Sequence, residues 1–180
     1  MIFSERLFKA ISFAAAAHGS QQRKVSKVPY IIHPLAVGML LQRAGFEEDV
    51  VITGLLHDVI EDTQVSLGAV RKEFGDYVAE LVEALTDPPG LVYRALKAAQ
   101  YERYLYAAPE VKAIKAADML YNMYDKMSTI CEGMDPWSIL QQTKEDAVWG
   151  YHYILKALRN GWEHPLLDEI DVYLKQLEAL

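Results

Sequence analysis

This 180-residue sequence has a single cysteine, no excess of basic residues and no long apolar run. The single cysteine, Cys131, cannot form an internal disulfide, which is typical of proteins kept in a reducing cytosol. The formal net charge of -7 disfavours binding to nucleic acid or to an anionic membrane, because both favour a basic protein surface. No apolar run approaches the roughly 18 residues that span a bilayer. We therefore expect a cytoplasmic protein that binds neither nucleic acid nor membrane.

Alternating strand patterns and hairpin turns are also lacking, whereas helical spacing of apolar residues runs through most of the chain. The segment LFKAISFAAAAHGS keeps this spacing, so we interpret Phe3 to Ala17 as a first helix and not as a signal peptide. Further helices are predicted at residues 34–44, 47–60, 66–75, 76–86, 91–106, 111–130, 136–158 and 165–180. The predicted fold class is all-α, with about eight to ten helices.

No linker, internal repeat or low-complexity tract divides the chain. We therefore predict that residues 1–180 form a single domain. Its core would comprise residues 3–158, and the C-terminal helix at 165–180 would be peripheral.

The segment GLLHDVIEDT, residues 54–63, places a cluster of polar side chains near the end of an apolar predicted helix. Because positions four apart share a helix face, His57 aligns with Glu61 and Asp58 with Asp62. Acidic side chains at a helix C-terminus oppose the helix dipole, so several of them together need a nearby cation. A metal ion is one such cation. The alternative is a core histidine beside a solvated acidic turn.

Two other segments could complete a metal site. In AIKAADMLYNM, Asp118 and Asn122 lie one turn apart on a core-like helix, where a carboxylate must be paired, protonated or coordinated. A salt bridge or hydrogen bond between helices is the alternative for Asp118. His33 stands just before Pro34 at the entry to a predicted helix, where a capping role is the alternative.

Two imidazoles and two carboxylates are thereby available from His33, His57, Asp58 and Asp118. This donor set suits a first-row divalent ion such as Mn²⁺, Fe²⁺ or Zn²⁺. Glu61 and Asp62 then remain to orient or deprotonate a water molecule. The sequence therefore predicts metal-assisted hydrolysis.

A basic loop precedes His33. The stretch from Arg23 to Lys27 carries three positive charges and no acid in an otherwise acidic chain. A solvated loop is the alternative, but the position directly before a predicted metal ligand favours contact with a phosphate group.

The order His…His-Asp…Asp resembles the pattern of the HD-domain metal-dependent phosphohydrolases. The segments AHGSQQRKVSKVPYIIHPLAV, LLHDVIEDT and KAADMLYNM are similar to three signature segments of the RelA/SpoT alarmone-hydrolase domain, in particular to the stand-alone small alarmone hydrolases of the metazoan SpoT-like type. The resemblance covers about Phe3 to Leu158. It implies a helical HD fold and a Mn²⁺-dependent enzyme that removes the 3′-pyrophosphate of (p)ppGpp, giving GDP or GTP and pyrophosphate.

The resemblance also implies roles for individual residues. Metal ligands are assigned to His33, His57, Asp58 and Asp118, and the catalytic acid pair to Glu61 and Asp62. Substrate contacts are assigned to Arg23, Lys24, Tyr30 and Asn122. Lys97, on the helix after DPPG, is a further candidate for the substrate site, with a solvated helix face as the alternative. In QQTKEDAVWGY, Lys144 and Tyr151 could replace family residues.

Three departures from the family pattern concern the substrate. The glycine usual before Pro-Tyr is replaced within Ser26-Lys27-Val28, and Tyr124 stands where an arginine is typical. The downstream Arg and Tyr that clasp the substrate in the family have no clear counterparts. Another nucleotide phosphoester, such as the 2′-phosphate of NADPH, is therefore the alternative substrate. A non-catalytic alarmone-binding module is the alternative function.

Overall fold

The computed structural model of the protein describes residues 4–180, and its helices begin and end at recognisable local signals. Ser4 accepts a hydrogen bond from the amide of Leu7 at the start of the first helix, and Ser66 does the same for Ala69. Phe3, which the apolar pattern assigned to the first helix, lies outside the described residues. The described helices are α1 Glu5–His18, α2 Ile32–Arg43, α3 Glu48–Leu56, α4 Val59–Asp62, α5 Leu67–Phe74, α6 Asp76–Leu85, α7 Tyr93–Leu105, α8 Pro109–Cys131, α9 Pro136–Leu140, α10 Lys144–Leu158 and α11 Pro165–Ala179.

The predicted all-α class is confirmed. Residues 4–180 contain no strand, and their one bridge pairs Gln22 with Pro29 in antiparallel orientation. No helix in this part of the chain is both long and apolar enough to cross a membrane.

Two helices predicted as continuous are each interrupted. The segment at 47–60 divides into α3 and α4, with His57 and Asp58 between them. The segment at 136–158 divides into α9 and α10, because Gln141 adopts a left-handed conformation with φ of 52° and Thr143 caps α10. Both predictions of a continuous helix were therefore wrong, since apolar periodicity on either side of a two- or three-residue turn does not reveal the turn.

The chain contacts divide the protein into two compact units. The first comprises residues up to Gln22 together with residues 28–86, and the second comprises residues 23–27 and 87–180. In the first unit, α3 packs on α1, α2 and α6. Its core includes Ala14, Ile52 and Leu56, which are almost completely buried. The single domain over residues 1–180 stays a prediction.

The second unit is organised around α8, its longest helix. Helices α10 and α11 pack on α8, and α7 packs on α10. The predicted peripheral helix is α11, and it buries Leu167, Ile170 and Leu174 along one face while its other face is exposed. This helix therefore contributes a full apolar stripe to the core of its unit.

Close packing of α2 against α3 in the first unit depends on glycine. A Cβ atom added at Gly54 would lie 2.5 Å from Cδ1 of Leu41, and one added at Gly38 would lie 3.0 Å from the Leu55 side chain. The two backbones can approach closely only because these methyl groups are absent. This approach brings the beginning of α2, with His33, to the end of α3, where His57 lies.

We predict that Gly54→Ala lowers the free energy of unfolding by about 1–3 kcal/mol, because the added methyl overpacks the contact with Leu41. Urea denaturation measures the change. Gly68→Ala in α5 is the matched control. A Cβ atom added at Gly68 would lie 3.8 Å from its nearest heavy atom, the Ser66 hydroxyl oxygen, so this substitution should leave stability unchanged or slightly raise it. Equal stability of Gly54→Ala and the unmodified protein would contradict the proposed close packing.

Candidate functional site

Two adjacent side chains converge at the junction of α3 and α4. His57 follows the last residue of α3 and Asp58 precedes the first of α4, and both keep a right-handed helical backbone conformation. The Nε2 atoms of His33 and His57 are 3.1 Å apart. The two carboxylate oxygens of Asp58 lie 3.2 Å from these nitrogens, one from each. The structure thus brings three of the four predicted ligands within 4.8 Å of one another.

The backbone fixes how His57 presents its ring. Its Nδ1 lies 2.8 Å from the carbonyl oxygen of Gly54 and donates to it, so the lone pair of the neutral ring is on Nε2. That lone pair faces His33 and Asp58 in a region where the two histidines are only 1% and 5% exposed. Two imidazole nitrogens and a carboxylate facing one another require a proton or a cation between them. The donor set and the backbone support of His57 both fit a divalent metal ion.

The ionisation of Asp58 is consistent with a ligand role. Burial alone would raise the pKa of its carboxyl group. When the imidazoles of His57 and His33 are protonated, their positive charges and a hydrogen bond from His33 outweigh burial, and they hold the pKa of Asp58 below its usual range. Asp58 is therefore an anion at neutral pH.

Tyr30 links this cluster to the predicted acid pair. Its hydroxyl oxygen is 2.6 Å from Oδ2 of Asp58 and 2.5 Å from Oδ2 of Asp62. Burial, followed by the charges of the two carboxylates, raises the pKa of Tyr30. The hydroxyl therefore stays protonated and donates a hydrogen bond to one of these carboxylates. The ring of His18 stacks on Tyr30 at 4.7 Å between centroids. Glu61 and Asp62 are themselves exposed at the end of α4.

Asp118, the other predicted ligand, lies in the second unit on α8. Its carboxylate accepts hydrogen bonds from the amide of Asn122 and from Nζ of Lys115, the latter at 2.7 Å. Arg23 donates to Oδ1 of Asn122 at 2.7 Å and forms an ion pair with Asp125 at 3.0 Å. Arg23 therefore helps to fix Asn122, which in turn fixes Asp118. Lys24, also predicted to contact substrate, is exposed.

A cavity of about 360 Å³ lies within the second unit. Its lining includes Lys97, Lys115, Asp118, Asn122, Lys126 and Tyr151. Lys144 is not part of this lining, since its Nζ donates to the carbonyl oxygen of Glu178 at 2.8 Å. Sequence reasoning named Lys97, Asn122 and Tyr151 but missed two lysines. Lys115 lies three residues before Asp118 and Lys126 four residues after Asn122, so helical spacing along α8 was the available signal.

Lys97 has an altered proton affinity in this cavity. Burial, and then the charge of Lys115, lower the pKa of its ammonium group to about 7, against the opposing effect of Asp118 and Asp87. Its Nζ donates to the side chain of Gln100 at 2.8 Å. The side-chain amine of Lys97 is therefore only partly protonated near neutral pH.

Comparison with known proteins identifies the family. A family model described as HD domain matches residues 10–130. A guanosine-3′,5′-bis(diphosphate) 3′-pyrophosphohydrolase of Homo sapiens is 40% identical over 136 residues, which cover 74% of each chain. This chain belongs to the HD-domain family.

Two solved structures and a further sequence relative are also similar to this chain. A metazoan orthologue of SpoT that hydrolyses ppGpp matches with a TM-score of 0.83 and 29% identity, covering 100% of this chain and 99% of that one. A Listeria monocytogenes protein gives a TM-score of 0.74 at 33% identity, covering 83% and 97% of the two chains. A guanosine-3′,5′-bis(diphosphate) 3′-pyrophosphohydrolase of Aquifex aeolicus is 37% identical over 67% of this chain, which spans only 18% of that longer relative. The predicted HD fold and the resemblance to the metazoan SpoT-like type are confirmed.

We predict that Asp58→Asn weakens the binding of a divalent ion such as Mn²⁺ to this HD domain by more than about tenfold, because it removes the one carboxylate of the converging trio. Calorimetric titration with Mn²⁺ measures the affinity. Asp49→Asn is the matched control, since Asp49 is an α3 carboxylate that pairs with Arg6. Equal Mn²⁺ affinity in Asp58→Asn and the unmodified protein would exclude Asp58 as a ligand.

Lys97 leads to a prediction about pH. Between the folded-state pKa of about 7 and the ordinary value of 10.5, the unfolded chain holds a proton that the folded chain has released. Stability attributable to Lys97 therefore rises with pH in this window, by up to about 1.4 kcal/mol per pH unit. From pH 7 to 9, the unfolding free energy of the unmodified protein should therefore increase relative to that of Lys97→Met.

Urea denaturation at a series of pH values provides the measurement. Lys175→Met, which alters an exposed lysine on α11, should show no pH-dependent difference from the unmodified protein. A difference between Lys97→Met and the unmodified protein that stays constant over this range would contradict the lowered pKa.

Proposed function

We propose that this protein is a cytoplasmic, Mn²⁺-dependent hydrolase that removes the 3′-pyrophosphate of (p)ppGpp. The observation that carries the proposal is the convergence of His33, His57 and Asp58, joined through Tyr30 to Asp62. The names of the human and Aquifex aeolicus relatives and the ppGpp hydrolysis of the metazoan SpoT orthologue support the choice of substrate.

His33, His57 and Asp58 would hold the ion, and Asp118 is the proposed fourth ligand. Mn²⁺ is proposed from the family pattern, and the same nitrogen and oxygen donors also suit Fe²⁺ or Zn²⁺. When bound, such an ion supplies Lewis acidity and lowers the pKa of coordinated water.

Glu61 and Asp62 are proposed to manage the protons of the reaction. A water oxygen attacks the phosphorus bonded to the ribose 3′ oxygen and gives up a proton to this acid pair. A new P–O bond forms, the bond from phosphorus to the 3′ oxygen breaks, and the 3′ oxygen takes up a proton. The products are GDP or GTP and pyrophosphate. Tyr30 contributes by holding the Asp62 carboxylate through its hydroxyl.

Substrate contacts are proposed at the cavity of the second unit and on its basic loop. Asn122 and Lys97 line the cavity of the second unit, and Arg23 supports Asn122. Lys24 is exposed on the basic loop, where it can meet a phosphate group. The role assigned to Lys144 stays a prediction, since its ammonium group is engaged by the end of α11.

We predict that purified protein with Mn²⁺ releases GDP and pyrophosphate from ppGpp, measured by chromatography of the nucleotides. Glu61→Gln should lower kcat by about 100-fold or more while Mn²⁺ affinity stays unchanged, because it removes a proton acceptor and no ligand. Glu80→Gln, an exposed substitution on α6, is the matched control.

Two results would contradict this proposal. Failure of the unmodified protein to release GDP and pyrophosphate would reject the activity, and a higher kcat/KM for NADPH than for ppGpp would reject the substrate. Full activity of Glu61→Gln would remove Glu61 from the mechanism.

A further inference from the structure

The cavity of the second unit contains more positive charge than its own carboxylates neutralise. Three of its lining residues are lysines, at positions 97, 115 and 126, and two are acids, Asp118 and Asp146. Both acids are committed: Asp118 pairs with Lys115 at 2.7 Å, and Asp146 pairs with Arg94 at 2.5 Å. Lys126, together with the partly protonated Lys97, therefore carries the positive charge that a ligand would meet.

The hydrogen-bond acceptors of those two lysines are neutral oxygens, and each ammonium group also lies over a tyrosine ring, Lys97 over Tyr93 and Lys126 over Tyr151. Lys126 donates to the hydroxyl of Tyr151 at 2.9 Å and to the carbonyl oxygen of Asn122 at 3.4 Å. Lys97 donates to the side-chain oxygen of Gln100. An ammonium group held by neutral oxygens in a half-enclosed cavity favours an anion, because charge-assisted hydrogen bonds are stronger where water is excluded. The lowered pKa of Lys97 agrees with this, since repulsion from Lys115 contributes to it.

Other lining groups offer hydrogen bonds to the same space. The phenol oxygen of Tyr151 accepts a hydrogen bond from Lys126, so its own O–H is available to donate. The amide nitrogen of Gln142 is buried beside the cavity, where the Gln142 side chain also interacts with the hydroxyl of Tyr93. The ring of Tyr93 closes the cavity against Gly150, where even a Cβ atom would lie 2.1 Å from the Tyr93 hydroxyl. The cavity is thus a built site with several donors and a defined wall.

We propose that Lys126 and Tyr151 form the clasp for the pyrophosphoryl group of the substrate in this chain. The proposal rests on the proposed function for the identity of the substrate, and it assigns the clasp to residues on α8 and α10. Lys126 supplies a full positive charge and Tyr151 a directed O–H, with Lys97 as a second cation. Because the two uncommitted ammonium groups match more than one anionic phosphoryl group, the cavity selects a pyrophosphate over a single phosphate.

The test uses inorganic pyrophosphate and orthophosphate as probes, titrated by calorimetry in EDTA so that binding does not depend on a metal ion. The unmodified protein should bind pyrophosphate more tightly than orthophosphate. Lys126→Met should weaken pyrophosphate binding by about tenfold and Tyr151→Phe by about fivefold, as expected for loss of a charged and a neutral hydrogen bond. Lys126→Arg should restore most of the affinity, because it keeps the charge.

Lys156→Met, an exposed substitution on α10, is the matched control and should bind as the unmodified protein does. Circular dichroism confirms that each variant is folded. Equal affinity for the two probes, or unchanged pyrophosphate affinity in folded Lys126→Met, would overturn the proposed clasp. If the unmodified protein hydrolyses ppGpp in that case, the function stands and only the clasp is wrong. Lysine-dependent pyrophosphate binding without ppGpp hydrolysis would instead support the clasp and reject the proposed function.

Discussion

Two buried imidazole nitrogens that face each other across 3.1 Å, with a carboxylate 3.2 Å from each, set the electrostatic constraint of the first unit. Such a group is stable only when a proton or cation lies among its lone pairs, because burial removes the water that would otherwise solvate them. The surrounding structure holds the group together. Gly38 and Gly54 let α2 and α3 approach, and the carbonyl of Gly54 fixes the ring of His57.

The junction of α3 and α4 provides two adjacent members of this group. His57 and Asp58 both keep a right-handed helical backbone conformation, with φ of -59° and -97°. Their side chains meet His33 at the end of α3. Tyr30 connects this group to the protein surface, because its hydroxyl lies within hydrogen-bond distance of both Asp58 and the exposed Asp62 of α4.

The second unit handles charge in a different way. The protein as a whole is acidic, with a formal net charge of -7, yet its cavity is lined by three lysines. Lys115 stabilises Asp118, which leaves Lys97 and Lys126 for a ligand. A local cluster of this kind can bind an anionic nucleotide in a chain whose overall charge would repel it.

Sequence reasoning predicted the helical class and most helix boundaries from local signals, such as the serine caps before α1 and α5. The grouping of His33, His57 and Asp58 followed from the order of these residues in the chain, which resembles the HD-domain pattern. The turn at Gln141 was not predictable, because glutamine has no preference for a left-handed conformation.

The pairing of Lys126 with Tyr151 was also beyond the sequence. These residues are 25 positions apart, and the register of α10 against α8 decides which of its side chains enters the cavity. The same register directs Lys144 to the C-terminal end of α11. Packing between helices, and not the helix patterns themselves, thus determined the part of the substrate site that sequence left open.

The central claim is that His33, His57 and Asp58 hold a divalent ion. Anomalous diffraction at the manganese absorption edge, from crystals grown with Mn²⁺, tests this claim most directly. We predict a single strong peak within bonding distance of the Nε2 atoms of His33 and His57 and of an Asp58 carboxylate oxygen. A strong peak elsewhere in the protein, with none between these three side chains, would contradict it.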